Sequence, residues 1–244
     1  MGLLRLDESI RTVSPAILFV HSLEQFCGWA IFYNNRKNGD SSIIPSSYCM
    51  TSLISLINEA HACTLCAEHL PLGPRPVFQI HESARILLAS QAPGRKVHET
   101  GIPFNDPSGD RLRAWLGVSR EIFYDARQVA ILPMGFCFPG TGKSGDLPPR
   151  PECALKWRAA LLSHLQNLKL TLVLGQYAQA YHLPNTGASL TETVRAWRKD
   201  WPDIVPLPHP SPRNNLWFKR NPWFEQELIP VLQARVAEVL KRDG

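Results

Sequence analysis

The sequence predicts an α/β fold, namely a three-layer α/β/α sandwich with a short, mostly parallel central sheet. Along residues 50–244, short and continuously apolar runs alternate with segments of helical periodicity. Strands that are apolar throughout are typical of a sheet that helices cover on both faces. The predicted strands are, in chain order, 84–90, 129–133, 170–174 and 204–207.

Helical spacing of the apolar residues predicts the two outer layers. The first helix begins near Met50, with Thr51 or Ser52 as its N-cap. The other predicted helices are 108–116, 152–165, 175–182 and 223–241. Sites in parallel sheets form beyond the carboxyl ends of the strands. Three loops are therefore expected to meet at one edge: 90–94, 133–137 and 209–214.

Composition is that of a globular protein that does not enter a membrane. The 244 residues are 44% hydrophobic, and the early apolar runs are much shorter than the ~20 residues that a bilayer requires. No secretory signal is expected, so the predicted location is cytoplasmic, of a bacterial type and associated with the nucleoid. The net charge of +5 permits a polyanionic partner such as DNA. A monomer is expected.

Residues 1–49 differ in charge from the remainder of the chain. They hold four basic and four acidic residues, so the whole positive excess belongs to residues 50–244. Two interpretations stay open: an accessory N-terminal extension, or upstream sequence included by a wrong choice of start codon. The compact domain is predicted at 50–244. Cys27 and Cys49 fall outside it and receive no role.

Two cysteine pairs, far apart in the sequence, predict an inorganic centre. Cys63 and Cys66 form a C-x2-C, and fifteen residues separate Cys137 from Cys153. Four thiolates bind either a [4Fe–4S] cluster or a tetrahedral zinc ion, and the spacing alone does not choose between them. Four buried free cysteines are the third possibility. A bound centre is expected to be structural and to hold the proline-rich loop 137–153.

Two loops carry further motifs. The first reads Ser90-Gln-Ala-Pro-Gly94 and precedes Gly101-Ile-Pro-Phe-Asn-Asp106; the second reads His209-Pro-Ser-Pro-Arg-Asn214. In this order, and with the cysteine spacing, they resemble the uracil-DNA glycosylase superfamily over roughly residues 50–244. The first loop and the cysteines are similar to its iron–sulfur (type 4-like) branch, which has G-E-A-P-G. The second loop matches the H-P-S-P-R-N of the single-strand-selective branch, and the resemblance favours [4Fe–4S] over zinc.

The resemblance implies a catalytic role for three residues and a stacking role for a fourth. His209 would donate a hydrogen bond to O2 of a flipped base and stabilise the departing anion. Asp106 would orient the water or stabilise the sugar cation, with helix capping as the equal alternative. Gln91 would shape the pocket, and Phe104 would stack on the base, with core packing as its alternative.

The same resemblance implies contacts to the base and to the DNA backbone. The remaining base-binding positions are Ala92, Gly94, Pro133 and Met134. Gly94 stands where the uracil-selective branch has a bulky tyrosine, so larger bases are expected to enter. The expected DNA-binding residues are Arg213, Asn214, Lys219 and Arg220, with Arg213 filling the gap that the flipped base leaves.

Two positions depart from the family pattern. Relatives usually have a uracil-reading asparagine where Pro133 stands, and the most active branch has a catalytic aspartate where Ala92 stands. The predicted function is therefore a DNA glycosylase acting on uracil or on a related base such as hypoxanthine or xanthine. The alternatives are a DNA-binding module with little turnover, and a zinc-stabilised nucleotide-processing hydrolase.

Overall fold

The computed structural model describes residues 52–143, 145–183 and 189–241. These residues belong to the unit Thr51–Gly244. The predicted extension 1–49 lies outside the described residues. Within the described ranges, the helices are all too short or too polar to cross a bilayer.

Four parallel strands form the central sheet. The strands, in chain order, are β1 (Ile86–Ala89), β2 (Val129–Ile131), β3 (Thr141–Gly142), β4 (Gly145–Asp146), β5 (Leu170–Leu174) and β6 (Ile204–Leu207). The sheet has the order β2-β1-β5-β6, and each neighbouring pair is parallel. Strands β3 and β4 form a separate antiparallel hairpin. The predicted parallel sheet is confirmed, with β1 and β2 shorter than their apolar runs.

Helices cover both faces of the sheet. In chain order they are α1 (Leu53–His61), α2 (Arg95–Thr100), α3 (Pro107–Leu116), α4 (Arg120–Tyr124), α5 (Pro151–Cys153, a π-helical turn at Ala154–Arg158, and Ala159–Leu162), α6 (Gln176–His182), α7 (Leu190–Arg195), α8 (Asn215–Arg220) and α9 (a π-helical turn at Phe224–Leu228, then Ile229–Leu240). Short 3₁₀ turns occupy Ala67–His69, Trp197–Asp200 and Pro212–Asn214.

Alternate strand residues enter two different cores, as the two-residue period of a strand requires. Ile86 and Leu88 of β1 pack with Leu112 of α3 and Leu232 of α9. Leu87, between them, points to the opposite face and joins the cluster beneath α1 and α5, which includes Leu56, Ala60, Trp157 and Leu161. Both faces of the sheet are thus buried, and the three-layer α/β sandwich is confirmed.

Several predicted helix boundaries are close to the observed ones. Ser52 caps α1 by accepting a hydrogen bond from the Ser55 N–H at 3.2 Å. Helix α3 begins at Pro107, one residue before the predicted start. Helices α2, α4, α7 and α8 and the β3–β4 hairpin were not predicted from the sequence. These elements are two to six residues long, too short to show a hydrophobic period.

Candidate active site

A cleft of about 800 Å³ lies beyond the carboxyl ends of the parallel strands. The loops after β1, β2, β5 and β6 all contribute to it, together with α3 and the β3–β4 hairpin. Most of the predicted site residues line it: Gln91, Ala92, Gly94, Phe104, Asp106, Pro133, His209, Arg213 and Asn214. The fold therefore brings together two motifs that are more than a hundred residues apart.

His209 is the partly buried imidazole of this cleft. Its Nδ1 accepts a hydrogen bond from the backbone N–H of Ser211 at 3.3 Å. Burial lowers the pKa of His209, while the carboxylates of Asp106 and Asp146 act in the opposite direction and Arg213 lowers it again. A neutral imidazole that accepts at Nδ1 carries its proton on Nε2. The His209 ring, which lines the cleft, thus keeps its N–H donor on Nε2.

The loop that carries His209 is held from two sides. Asn214 Nδ2 donates to the His209 carbonyl oxygen at 2.7 Å. This side chain, which was predicted to bind DNA, therefore makes a hydrogen bond across its own loop. The guanidinium of Arg111 donates to the carbonyl oxygens of Pro210 and Ser211, both at 3.2 Å. Arg111 comes from α3, and its anchoring of the loop was not predicted, because the sequence carries no signal of this pairing across about a hundred residues.

Further contacts fix the guanidinium of Arg111 itself. It donates to Asn215 Oδ1 at 2.7 Å and lies 4.9 Å from the ring centroid of Phe218. Planar guanidinium groups satisfy several acceptors at once in this way. Arg111 therefore connects the helix that follows Asp106 to the loop of His209, which sets the distance between the two predicted catalytic residues.

Asp106 caps α3. Its Oδ1 accepts a hydrogen bond from the Gly109 N–H at 2.9 Å, which is the capping alternative of the sequence analysis. Asp106 also lines the cleft, and its charge raises the pKa of His209. The capping bond orients the carboxyl group at the cleft wall and uses one of its two oxygens.

Phe104 is buried, with 8% of its surface exposed, yet it lines the cleft. Its ring packs edge-to-face on Phe123 with 6.1 Å between centroids, so core packing, the alternative to stacking, is observed. Its backbone has φ 54°, a left-handed conformation that is uncommon for a bulky residue. A Cβ on Gly109 would lie 1.7 Å from the Phe104 carbonyl oxygen, which explains the glycine in the Ser108-Gly-Asp110 segment.

Gln91 packs against the start of α6. A Cβ built on Gly175 would lie 2.3 Å from Gln91 Nε2, and Gly175 has φ +81°. Glycine at 175 therefore makes room for the Gln91 amide as well as for the backbone turn. Gln176, the next residue, also lines the cleft and was not predicted as a site residue.

The structure corrects the prediction for Met134. Its side chain is 7% exposed and packs in a core cluster with Ala89, Val173 and Ala178, away from the cleft lining. The backbone N–H groups of Met134 and Gly135 donate to the carbonyl oxygens of Ser90 and Gln91, at 2.8 and 2.9 Å, because this segment continues the pairing of β1 with β2. These two N–H groups are therefore already paired.

Pro133 stays at the cleft, and its carbonyl oxygen accepts from the buried guanidinium of Arg158 at 3.2 Å. Arg158 also donates to the Leu132 carbonyl oxygen at 2.9 Å and contacts His182 Nε2. Burial lowers the pKa of Arg158 to about 10. Burial and the Arg158 charge together lower the pKa of His182 to about 3.

The residues after Asn214 form α8, which is outside the cleft lining. Lys219 and Arg220 are exposed on this helix. Trp217 donates from Nε1 to Thr191 Oγ1 at 2.8 Å, and Trp217 and Phe218 pack partly buried against the core. These two aromatic side chains therefore contribute to packing.

The four cysteines line a second, smaller cavity. Cys63, Cys66, Cys137 and Cys153 all border it, and all four are free thiols. Burial raises the pKa of Cys137 to about 11 and that of Cys153 to about 12. A metal bound here would therefore have to displace thiol protons.

Nitrogen donors surround these sulfurs. The Trp157 Nε1–H donates to Cys63 Sγ and the Phe136 N–H to Cys153 Sγ, each at 3.3 Å. Such hydrogen bonds stabilise thiolate ligands, and in its chemistry the donor set fits a four-thiolate centre. The cavity measures only about 20 Å³, and no group of three or more His, Cys, Asp or Glu side chains in the described ranges is arranged to hold a metal ion. The sulfurs would have to rearrange around a centre.

A known protein family matches the part of the chain that forms the central sheet. Residues 78–233 match the family model described as "Uracil DNA glycosylase superfamily". The matched segment spans well over half of the chain. It contains the four sheet strands, both predicted motif loops, Cys137 and Cys153, and it begins after Cys63 and Cys66.

Proposed function

The chain belongs to the uracil-DNA glycosylase superfamily, and from this premise we propose that it is a DNA glycosylase of base-excision repair. It would flip a damaged or deaminated base out of DNA into the 800 Å³ cleft. Water would then form a bond to C1′ of the sugar while the N-glycosidic bond breaks. The products are a free base, which leaves as an anion before taking up a proton, and an abasic site.

One observation carries this proposal: His209 faces the cleft as a neutral imidazole whose Nδ1 is already occupied by the Ser211 N–H. Its Nε2–H is the donor for the carbonyl oxygen of the departing base. A positioned donor stabilises the charge that develops on a leaving group, and the loss of such a donor typically costs ~10²–10³ in rate. The contacts of Arg111 and Asn214 hold this donor in place.

Asp106 is proposed to act on the other side of the reacting bond. Its Oδ1 is committed to the Gly109 N–H, which leaves Oδ2 to orient the attacking water or to face the sugar cation. Phe104 supplies a buried ring at the cleft wall for the base, and Gln91 shapes the pocket floor. Arg213, Asn214, Lys219 and Arg220 are proposed to contact DNA, with Arg213 entering the gap in the stack.

The proposed substrate range extends beyond uracil. Pro133 has no side-chain amide to read the Watson–Crick edge, and the Met134 and Gly135 N–H groups are already paired. Gly94 contributes no side chain to the neighbouring wall, where the nearest group to an added Cβ is the Asp146 carboxylate at 3.4 Å. Hypoxanthine, xanthine or an alkylated base is therefore as reasonable a substrate as uracil.

The test is a panel of single- and double-stranded oligonucleotides that carry uracil, hypoxanthine or xanthine. After incubation with the purified protein, alkali cleaves every abasic site, and a gel displays the product. Cleavage that disappears in His209→Ala and falls in Asp106→Asn supports the glycosylase. A second candidate function, a damage-binding module, is favoured by Ala92 and Pro133; tight binding without abasic product would support it instead.

We also propose that Cys63, Cys66, Cys137 and Cys153 bind a [4Fe–4S] cluster, with zinc as the alternative occupant. The four free thiols around one cavity and the N–H donors to their sulfurs support this assignment. The centre would be structural and would tie α1 to the loop 137–153. Brown protein that absorbs near ~400 nm, with about four iron atoms per chain, is expected; colourless protein with one zinc per chain contradicts it.

A further inference from the structure

The β3–β4 hairpin forms part of the cleft wall between the two motif loops. Its residues Thr141, Gly145 and Asp146 line the cleft together with His209 and Arg213. On one side, a Cβ on Gly94 would lie 3.4 Å from Asp146 Oδ2. On the other side, Asp146 Oδ1 lies 3.9 Å from Arg213 Nη1. The Asp146 carboxylate thus contacts the first loop and pairs with the second.

Glycine in the hairpin allows the Arg213 side chain to lie flat against it. A Cβ on Gly145 would meet Arg213 Nη1 at 2.7 Å and Cζ at 3.4 Å. Gly145 also has φ +140°, a conformation that other residues rarely adopt. The Arg213 guanidinium therefore packs against the Gly145 backbone, where no side chain intervenes. It lies there next to Asp146, the carboxylate that the hairpin contributes to the cleft.

The Asp146 carboxylate is held by longer contacts than the Asp106 carboxylate, whose Oδ1 accepts from the Gly109 N–H at 2.9 Å. Apart from Arg213, the partner of Asp146 among the described residues is the Thr141 hydroxyl at 3.5 Å. The ion pair with Arg213 is long, and the two side chains are 39% and 61% exposed. Ion pairs of this kind are weak and give way to a competing anion.

We propose that Asp146 is a positioning residue that holds Arg213 against the β3–β4 hairpin and releases it to DNA when the polyanion enters the cleft. The proposal rests on the proposed function, since it requires DNA in this cleft. The β3–β4 hairpin lies outside both sequence motifs. In this proposal the hairpin controls Arg213, the arginine that fills the gap in the DNA base stack. Asp146 lies beside the DNA path and acts through Arg213.

The charge around His209 agrees with this arrangement. Asp146 and Asp106 raise the pKa of His209, while Arg213 lowers it. Asp146 and Arg213 therefore shift the pKa of the same imidazole in opposite directions. Moving Arg213 away from the hairpin removes the cation and leaves the carboxylates beside the ring.

A double-mutant cycle on DNA binding tests the proposal. The wild-type protein, Asp146→Asn, Arg213→Gln and the double variant are titrated against a fluorescent duplex that contains a tetrahydrofuran abasic analogue, which needs no turnover. Asp146→Asn is expected to tighten binding about fivefold, the scale of an exposed ion pair. In the Arg213→Gln background the same substitution is expected to change binding less than about twofold. Glu99→Gln, which removes an exposed carboxylate outside the cleft lining, is the control for general charge.

The outcomes separate the proposal from the function on which it rests. Equal tightening by Asp146→Asn in both backgrounds, or by Glu99→Gln as well, overturns the role of Asp146 while DNA binding stands. No binding by any of the proteins overturns the function itself. A second readout needs no DNA: the pKa of His209 by NMR is expected to fall in Asp146→Asn and to rise in Arg213→Gln, and a pKa unchanged in both variants contradicts the arrangement.

Discussion

The Nδ1 atom of His209 accepts the backbone N–H of Ser211 at 3.3 Å, within the turn that the intervening Pro210 helps to form. This bond selects the tautomer with the proton on Nε2, which is the form that can donate into the cleft. Two residues of the second loop, His209 and Ser211, thus determine which ring nitrogen carries the proton. The activity of the site should depend on that donor more than on any other single side chain.

Removal of the His209 imidazole is expected to abolish most of the cleavage. His209→Ala should lower kcat on the preferred base by about 10²–10³, the usual cost of losing one donor to a developing anion. Its thermal midpoint should stay close to wild type. The comparison variant is His69→Ala, at an exposed histidine outside the cleft lining; if both variants lose activity equally, His209 has no special role.

Arg111 should be a positioning residue for the same reaction. Arg111→Met keeps an apolar stem against Phe218 but removes the bonds to Pro210 and Ser211. Displacement of a catalytic group by about 1 Å can cost roughly 10² in rate, so kcat should fall ten- to a hundredfold while KM and the thermal midpoint change little. Arg127→Met, at an exposed arginine outside the cleft lining, is the matched control. Rescue of kcat by Arg111→Lys would argue against the two-carbonyl contact.

The buried Arg158–His182 contact should make the fold sensitive to acid. The folded-state pKa of His182 is about 3, whereas an unfolded histidine titrates near ~6.5. Between these values the unfolded chain binds more protons, so stability is fully present above pH ~6.5 and falls on acidification by up to ~1.4 kcal/mol per pH unit. Urea unfolding of His182→Gln should show a flatter pH dependence between about pH 6 and 4 than wild type or His69→Gln. The same pH dependence of the unfolding free energy in wild type and His182→Gln would show that His182 does not cause the loss of stability in acid.

Two glycines at the cleft should respond very differently to one added methyl group. In Gly109→Ala the Cβ would overlap the Phe104 carbonyl oxygen at 1.7 Å, so α3 or Phe104 must shift. Overpacking typically costs about 1–3 kcal/mol of unfolding free energy, and an overlap with backbone is expected at the upper end of that range. Gly94→Ala meets only an ordinary contact at 3.4 Å with Asp146 and should cost less than about 0.5 kcal/mol. Chemical denaturation of both variants checks this, and equal losses would contradict the role assigned to Gly109.

Much of the fold follows from local pattern. The strands β5 and β6 occupy the residues that their apolar runs predict, because buried strands of a parallel sheet have no polar face to obscure them. The short helices and the β3–β4 hairpin escaped prediction, since two to six residues contain no period. The hairpin mattered most, because it brings Asp146 to the cleft.

The candidate site was predictable at the level of loops but not of contacts. Gln91 and His209 were predicted to lie together because their loops follow parallel strands, whereas Asp106 was added to the site by the family resemblance. Met134 was counted among the base-binding residues, yet the continued pairing of β1 with β2 turns that side chain into the core. The sequence could not decide between capping and catalysis for Asp106, whose observed bond to the Gly109 N–H depends on where α3 begins.

Sequence order and chemistry were enough to establish the α/β class, the two loops and the four thiols, because each of these lies within a short stretch of chain. The tertiary structure alone decided which charges meet. Arg111 reaches the His209 loop, and Asp146 meets Arg213, across about a hundred and about seventy residues respectively. No local sequence pattern indicates such pairings, because they depend on the order of the parallel strands in the folded sheet. The long-range contacts determine how the predicted loops hold their proton donor and their arginine.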